Sequence, residues 1–409
     1  MLLKKLIYFN ISSSIINQFF TAIIPLILLP WLSIKLGTEK MGVYALVVSM
    51  VSFFTIFIDY GFNIYSTNFI IRNKLNIDII FSHFLSVSIV RLINLFILFL
   101  TLCLLSLFYS IISNNFLSFS IGFLYLLGNI LGPIWIYQSF SILGFYSIAN
   151  ISLRIVFLLP IFFFVQSSSD LNISIILWSI PSLIFGFLSL LFTIRKYFKH
   201  VNIKNINIEI TKNYQQPFLL FISNLYISAY TSATTLISGF LLSPSEVSNF
   251  FIADRVIRGS SLLLAPISQI VYVKSHEMLQ KGISFYRRHI FTLFRYSFLL
   301  LIMSFLIFVS SNFLINILFK NKYPEAIILI KIMSLIPFFV AISNILGTQI
   351  LLVQNKFKEF SFKVGIISVF NLFIFILFTK TFGLHGAAYS CLLAEFSVIL
   401  ILRKSLKFL

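Results

Sequence analysis

Charge is what this sequence has least of. Of its 409 residues only 10% are Asp, Glu, Lys or Arg, and just eleven are acidic. A soluble chain of this length needs a charged exterior over its cores, and no hydrophilic stretch here is long enough to make even a small domain of that kind. Cysteine is nearly absent too. Cys103 and Cys391 both lie inside apolar runs, so they imply neither a disulfide framework nor a metal site and read as small hydrophobes. The five histidines, at positions 83, 200, 276, 289 and 385, show no metal-ligand spacing. There is no phosphate-cradling glycine loop and no nucleophile elbow. No enzyme signature, metal or cofactor is therefore expected.

What fills the chain instead is apolar: 59% hydrophobic residues, 51 of them Phe, with a mean hydropathy of +1.03. Crossing a bilayer takes roughly twenty mainly apolar residues as helix, and reading for such runs predicts about twelve. The first six are expected near 10–36, 42–70, 79–109, 116–138, 145–165 and 173–196. The other six are expected near 215–241, 246–273, 289–318, 325–353, 360–381 and 384–404. Open strands would leave backbone groups unpaired in lipid, and the runs lack a barrel's alternation. The expected fold class is an all-α integral membrane protein. Lys4 and Lys5 before an apolar run imitate a signal peptide, but the run is too long and shows no clear small-residue cleavage site, so it reads as an uncleaved first span.

A formal net charge of +19 could mark a nucleic-acid binder, so the placement of the charges decides. With the amino terminus inside, nineteen Lys and Arg fall in cytoplasmic connections and five (Lys35, Lys40, Lys320, Lys322, Lys380) fall outside. This asymmetry predicts both termini in the cytoplasm and accounts for most of the positive charge without nucleic acid.

The longest polar connection, 196–216, lies near the midpoint. Met41-Gly42-Val43-Tyr44-Ala45 opens the second span and Val247-Ser248-Asn249-Phe250-Phe251 the eighth, half a chain apart. Six spans plus six, each set starting on the same side, read as parallel repeats about an axis along the membrane normal. The expected domains are an N-terminal lobe at 1–200, a cytoplasmic linker at 201–214 and a C-terminal lobe at 215–409, related by pseudo-twofold symmetry about a central cavity.

Several segments are recognisable in order along the chain. They are Pro25 to Pro30, Leu36-Gly37, Gly42-Val43-Tyr44-Ala45, Phe53-Phe54 and Asp59-Tyr60-Gly61-Phe62-Asn63; then Trp135-Ile136-Tyr137-Gln138 leading through Arg154 to Phe164-Val165. Ala253-Asp254-Arg255 follows, with Pro266-Ile267-Ser268-Gln269 and Tyr272, then Gly383 to Ala388 and Leu393-Ala394-Glu395. Together they resemble the O-antigen and polysaccharide flippases of the multidrug/oligosaccharidyl-lipid/polysaccharide (MOP) exporter superfamily. The pattern departs at Ser139 and Ser141, where members often carry Gly and Glu, and at Asn68, where they often carry Arg. The resemblance implies a transporter in a bacterial inner membrane, with a polyprenyl-diphosphate-linked oligosaccharide as cargo and other polysaccharide-assembly membrane proteins as possible partners. Its lobes would alternate access to a central cationic cavity. The rival readings are a small-molecule exporter of the same superfamily and a membrane polysaccharide polymerase. The polymerase usually needs a large external loop, and the long connections here are cytoplasmic.

Charges inside spans cost roughly 2.5–3.5 kcal/mol each on insertion scales, so they face protein or water. Arg91, Arg154, Arg255 and Arg258 are the candidate substrate-binding cations, because guanidinium stays ionised and grips phosphate oxygens in pairs. Arg91 is expected near the middle of its span. Asp254 and Arg258, four apart, can pair along their helix and leave Arg255 as the unpaired candidate. Asp59 and Glu395 are isolated acids that could cycle a proton or hold an arginine in place. Arg295 and Lys331 sit near span ends and can snorkel to headgroups. Gly128 and Gly132, with Pro133, allow a close helix contact and a kink, and Pro25, Pro30, Pro160, Pro181, Pro266 and Pro337 mark potential bends.

Overall fold

A computed structural model describes residues 2–73, 76–199, 201, 210–262 and 264–408. Lys74, His200, Lys204 and most of the 201–214 connection lie outside the described residues, as do the side chains of Lys4, Lys5, Lys212, Pro266 and Gln269. The described residues are almost all helical and include no strand.

The helices named below are α1 (Leu2–Asp59), α2 (Phe62–Arg72), α3 (Ile77–Phe108), α4 (Phe116–Leu131), α5 (Ile134–Ser139), α6 (Leu143–Phe164), α7 (Leu171–Tyr197) and α8 (Ile210–Gln215). The others are α9 (Phe218–Thr231), α10 (Pro244–Leu262), α11 (Leu264–Lys281), α12 (Ile283–Phe319), α13 (Pro324–Met333), α14 (Ile336–Asn344) and α15 (Phe357–Leu402), with a π-helical segment at Ile345–Leu352. Eight helical stretches among the described residues are long and apolar enough to cross a membrane.

Two of these stretches, Ile23–Arg72 and Lys358–Lys407, run for 50 residues each. At about 1.5 Å per residue that is roughly 75 Å, more than twice a hydrocarbon core. Each is broken by a glycine in a conformation closed to side chains with a Cβ: Gly37 (φ 74) in α1 and Gly383 (φ 58) in α15. The expected spans fall on helical stretches throughout, consistent with twelve crossings. Polar turn residues set several starts. Asn76 accepts from the Ile79 N–H at 3.2 Å to open α3. Ser167 and Asp170 form a capping box ahead of α7, and Ser243 with Glu246 repeats the device ahead of α10.

The chain divides into two compact units, Met1–Thr21 with Val47–Leu225 and Ala22–Leu46 with Tyr226–Leu409. The expected lobes at 1–200 and 215–409 thus differ from these units chiefly in residues 22–46, which pack among second-half helices. Tyr323 donates through its hydroxyl to the Ser33 carbonyl at 3.0 Å, and the Lys322 ammonium donates to the Ile34 carbonyl at 2.8 Å. These are carbonyls just before the Gly37 break, where helical donors run out.

In the first unit α4 and α7 cross where Gly128 meets Ser182 and Gly186, backbone on backbone, with no room for a Cβ at either glycine. The chain then breaks at Gly132–Pro133, as the small residues and the proline predicted. Beyond the break lies a core of Phe62, Phe84, Trp135, Ile136 and Phe198. In the second unit the π-helical segment carries Gln349, which accepts from the Ser275 hydroxyl at 2.9 Å, and whose carbonyl accepts from Tyr286 at 2.7 Å. Along α12, Phe298, Ile302, Phe305, Val309 and Phe313 are exposed at intervals of three or four residues, an apolar stripe suited to lipid.

Replacing Gly186 with Leu forces α4 and α7 apart. The expected result is about 1–3 kcal/mol of lost stability, measured as a lower thermal midpoint of the detergent-purified protein; an unchanged midpoint would contradict the backbone-to-backbone contact.

Candidate functional site

From Gly37 to Asp59 the second limb of α1 rises about 33 Å, a full hydrocarbon thickness. The break that follows, with Tyr60 at φ 45 and Gly61 at φ 81, separates this limb from α2. It takes away the backbone donors that the carbonyls of Phe57 and Ile58 would find in a continuous helix. Side chains from α3 replace them. Arg91 Nε donates to the Ile58 carbonyl at 3.1 Å, and Asn94, three residues on, donates to the Phe57 carbonyl at 2.8 Å.

Arg91 also donates through Nη1 to the Ile130 carbonyl at 3.4 Å. The natural donor for that carbonyl would be the Ile134 N–H, which is diverted to Gly132 at 2.9 Å by the second break. One guanidinium thus serves two interrupted helices. Asn94 accepts in turn from the Tyr214 hydroxyl at 2.7 Å, which ties α8 to the same point. Asp59, at the end of α1, faces the Asn63 N–H and interacts electrostatically with Arg91. Arg91 is only 4% exposed. It stands level with this break.

Arg154 lies midway along α6 and is half-buried. Its partners are neutral: Asn150 Oδ1 at 3.3 Å from Nε and the Tyr125 hydroxyl at 3.3 Å from Nη2.

The second unit gathers its charges on α10, which has no exposed position between Pro244 and Ser261. Enclosure by protein explains how a helix holding Asp254, Arg255 and Arg258 exists at all; it is not among the stretches apolar enough to be read as spans by composition. Asp254 and Arg258 form the ion pair their spacing allows, at 2.6 Å. Glu395, buried on α15 about 18 Å past Gly383, lies on the Arg258 side of the group, and Cys391 lies there too. Arg255 is different. Its guanidinium rests over the Phe251 ring at 4.8 Å and makes no hydrogen bond to protein among the described residues. Its nearest charges are Asp254 and Arg258, with the Tyr44 phenol beside them. Among the described residues no group of three or more His, Cys, Asp or Glu could hold a metal ion.

Residues 7–273, well over half the chain, match the family model described as polysaccharide biosynthesis protein. The chain belongs to that family. Over 378 residues it is 26% identical to a candidate O-antigen transporter of Escherichia coli strain K12, covering 91% of this chain and 90% of the relative. A protein of the same description from Shigella dysenteriae is 26% identical over 391 residues, 94% of this chain and 96% of the relative. Among solved structures it is similar to the lipid II flippase MurJ in an inward closed conformation, with a TM-score of 0.71, 17% identity, and 97% of this chain and 87% of that one covered. It is also similar to an inward-facing multidrug resistance MATE family transporter of the MOP superfamily, with a TM-score of 0.70, 12% identity, and 97% and 94% covered. This polysaccharide biosynthesis family member thus shares its fold with those two transporters, and among its described residues eight helical stretches are long and apolar enough to cross a membrane.

Within this family member the structure places the four candidate arginines in three settings: Arg91 at two helix breaks, Arg154 among neutral groups, and Arg255 and Arg258 together on α10. Reading the sequence missed Asn94 and Tyr214, which share the work of Arg91, and Phe251, which carries Arg255. The spacing of four between Phe251 and Arg255 was a usable signal. Nothing in the sequence marks Tyr214 as a partner of Asn94, because they are brought together by a long-range contact.

Removing the Arg91 donors leaves two buried carbonyls bare, at about 1–3 kcal/mol each. Arg91→Met is expected to lower the thermal midpoint of the purified protein by several degrees, whereas Arg255→Ala, which removes no hydrogen bond to protein, is expected to leave it nearly unchanged. Equal midpoints for both variants would refute the capping role.

Proposed function

We propose that this membrane protein is a flippase that moves a polyprenyl-diphosphate-linked oligosaccharide, an O-antigen or similar polysaccharide repeat unit, from the cytoplasmic to the periplasmic leaflet of a bacterial inner membrane by alternating access. Both termini are cytoplasmic in this reading, which rests on the nineteen-to-five distribution of basic residues. Membership of a polysaccharide biosynthesis family and the likeness to two candidate O-antigen transporters support the cargo class.

The observation that carries the reading is Arg255, a cation within a protein-enclosed helix whose guanidinium is left without a hydrogen bond among the described residues. Guanidinium pays heavily to leave water, and a diphosphate supplies paired acceptor oxygens of opposite charge. Arg258 is already held by Asp254, so it orders the site electrostatically rather than gripping cargo. Arg154 is the substrate-facing cation of the first unit, and Arg91 keeps the broken helices in register. Asp59 and Glu395 stand beside Arg91 and Arg258 and hold those arginines in place. No bond is made or broken in such transport, so its selectivity is differential binding across two conformations.

Arg255→Ala, at unchanged protein level, is expected to reduce surface glycan roughly tenfold or more, the equivalent of at least about 1.4 kcal/mol of lost cargo binding. Arg255→Lys keeps the charge but not the fork and should restore part of it. Surface glycan resolved on a gel reads both. Normal display from Arg255→Ala overturns the site, retention of single-unit glycan with loss of chain length in a gene deletion points to a polymerase, and an intact glycan in that deletion points to a small-molecule exporter.

A further inference from the structure

The first unit holds an aromatic and polar group that neither the helix breaks nor the Arg255 site uses. Tyr125 of α4 and Trp178 of α7 are stacked, with ring centroids 4.8 Å apart and planes within 6°. Arg154 of α6 donates to the Tyr125 hydroxyl, and Asn150 accepts from Arg154 one turn away.

The faces on which these residues stand decide their meaning. On α6 the lipid-suited side is Phe145, Ile148, Ile155, Val156, Leu159 and Phe163, all exposed, while Arg154 shares its side with buried Ser147, Ile151 and Ile161. On α7 the exposed side runs through Ile173, Phe187 and Leu188, and Trp178 stands with buried Ser174, Ile175 and Phe185. The group therefore turns away from lipid. Yet Tyr125, Asn150, Arg154 and Trp178 are each only half-buried. These four side chains thus face inward and still keep part of their surface accessible.

Its chemistry is specific. Each ring of a stacked pair keeps a second face, electron-rich and suited to the C–H face of a pyranose. Around it stand donors with capacity left over: Arg154 has five N–H groups and spends two, and the Tyr125 hydroxyl accepts from Arg154 and keeps its own proton to donate. The Trp178 indole N–H makes no hydrogen bond to protein among the described residues. An apolar platform edged by a few fixed polar groups is the general form of a small-ligand site.

We propose that Tyr125 and Trp178, with Arg154 and Asn150, form a carbohydrate subsite: a sugar ring of the cargo lies against the stacked pair while its hydroxyls bond to Arg154 and Asn150. This rests on the flippase reading and deepens it, since it assigns the glycan, rather than the diphosphate, to the first unit.

The test is equilibrium binding to the full chain in nanodiscs, followed by native mass spectrometry, with two probes: the lipid-linked glycan extracted from cells lacking this transporter, and sugar-free polyprenyl diphosphate. Trp178→Ala is expected to weaken the glycan-bearing lipid on the order of tenfold, about 1.4 kcal/mol, and to leave the sugar-free lipid within about twofold. Trp178→Phe keeps a ring and should bind the glycan-bearing lipid more tightly than Trp178→Ala. Arg154→Gln, which deletes no packing ring, should show the same selective loss and carries the test if Trp178→Ala does not fold. Equal losses for both probes, or no loss for either, overturn the subsite and leave the flippase reading standing. Failure of the unaltered protein to bind either probe overturns both.

Discussion

Hydrocarbon offers no water to a backbone carbonyl, and that constraint governs this chain from end to end. It makes helix the form of the spans, and wherever a helix is interrupted it demands that some other group take up the acceptors set free. Arg91 and Asn94 meet that demand at two breaks together, with bonds of 3.1 and 3.4 Å to Ile58 and Ile130 and of 2.8 Å to Phe57. Lys322 and Tyr323 do so ahead of Gly37. Basic and polar side chains that look out of place in so apolar a sequence are thus partly the means by which its helices can be broken.

The same physics sorts the intramembrane charges. An arginine whose donors are spent on carbonyls, or whose charge is met by a carboxylate four residues away, has a structural occupation that accounts for its presence. Arg91 and Arg258 are of this kind. Among the described residues Arg255 rests on an aromatic ring without a hydrogen bond, and Arg154 bonds only to neutral groups. Those two, one in each compact unit, keep donors that the described structure does not spend. On α10, with three charged residues in five positions, no position between Pro244 and Ser261 is exposed, so protein surrounds those charges.

Much of the architecture was legible beforehand because hydrophobic length is a local property. The spans, the pairing of Asp254 with Arg258 and the contact at Gly128 all follow from spacings of three or four residues on one helix, or from runs of about twenty. The task of Arg91 was not legible. Counting along α3 placed it at mid-span, but only the fold brings it to the carbonyls left open at the Tyr60–Gly61 break. The grouping of residues 22–46 with the second-half helices was equally hidden, since composition carries no record of which helix packs on which.

The amino-acid order alone determined the solvent, the all-helical class, the family pattern and the short list of charged candidates, because each depends on composition or on neighbours within a turn or two. Tertiary structure alone decided which candidates are already occupied, and it brought Tyr125, Arg154 and Trp178 from three helices into one cluster. Those outcomes depend on long-range packing, where a residue's role is set by atoms tens or hundreds of positions away.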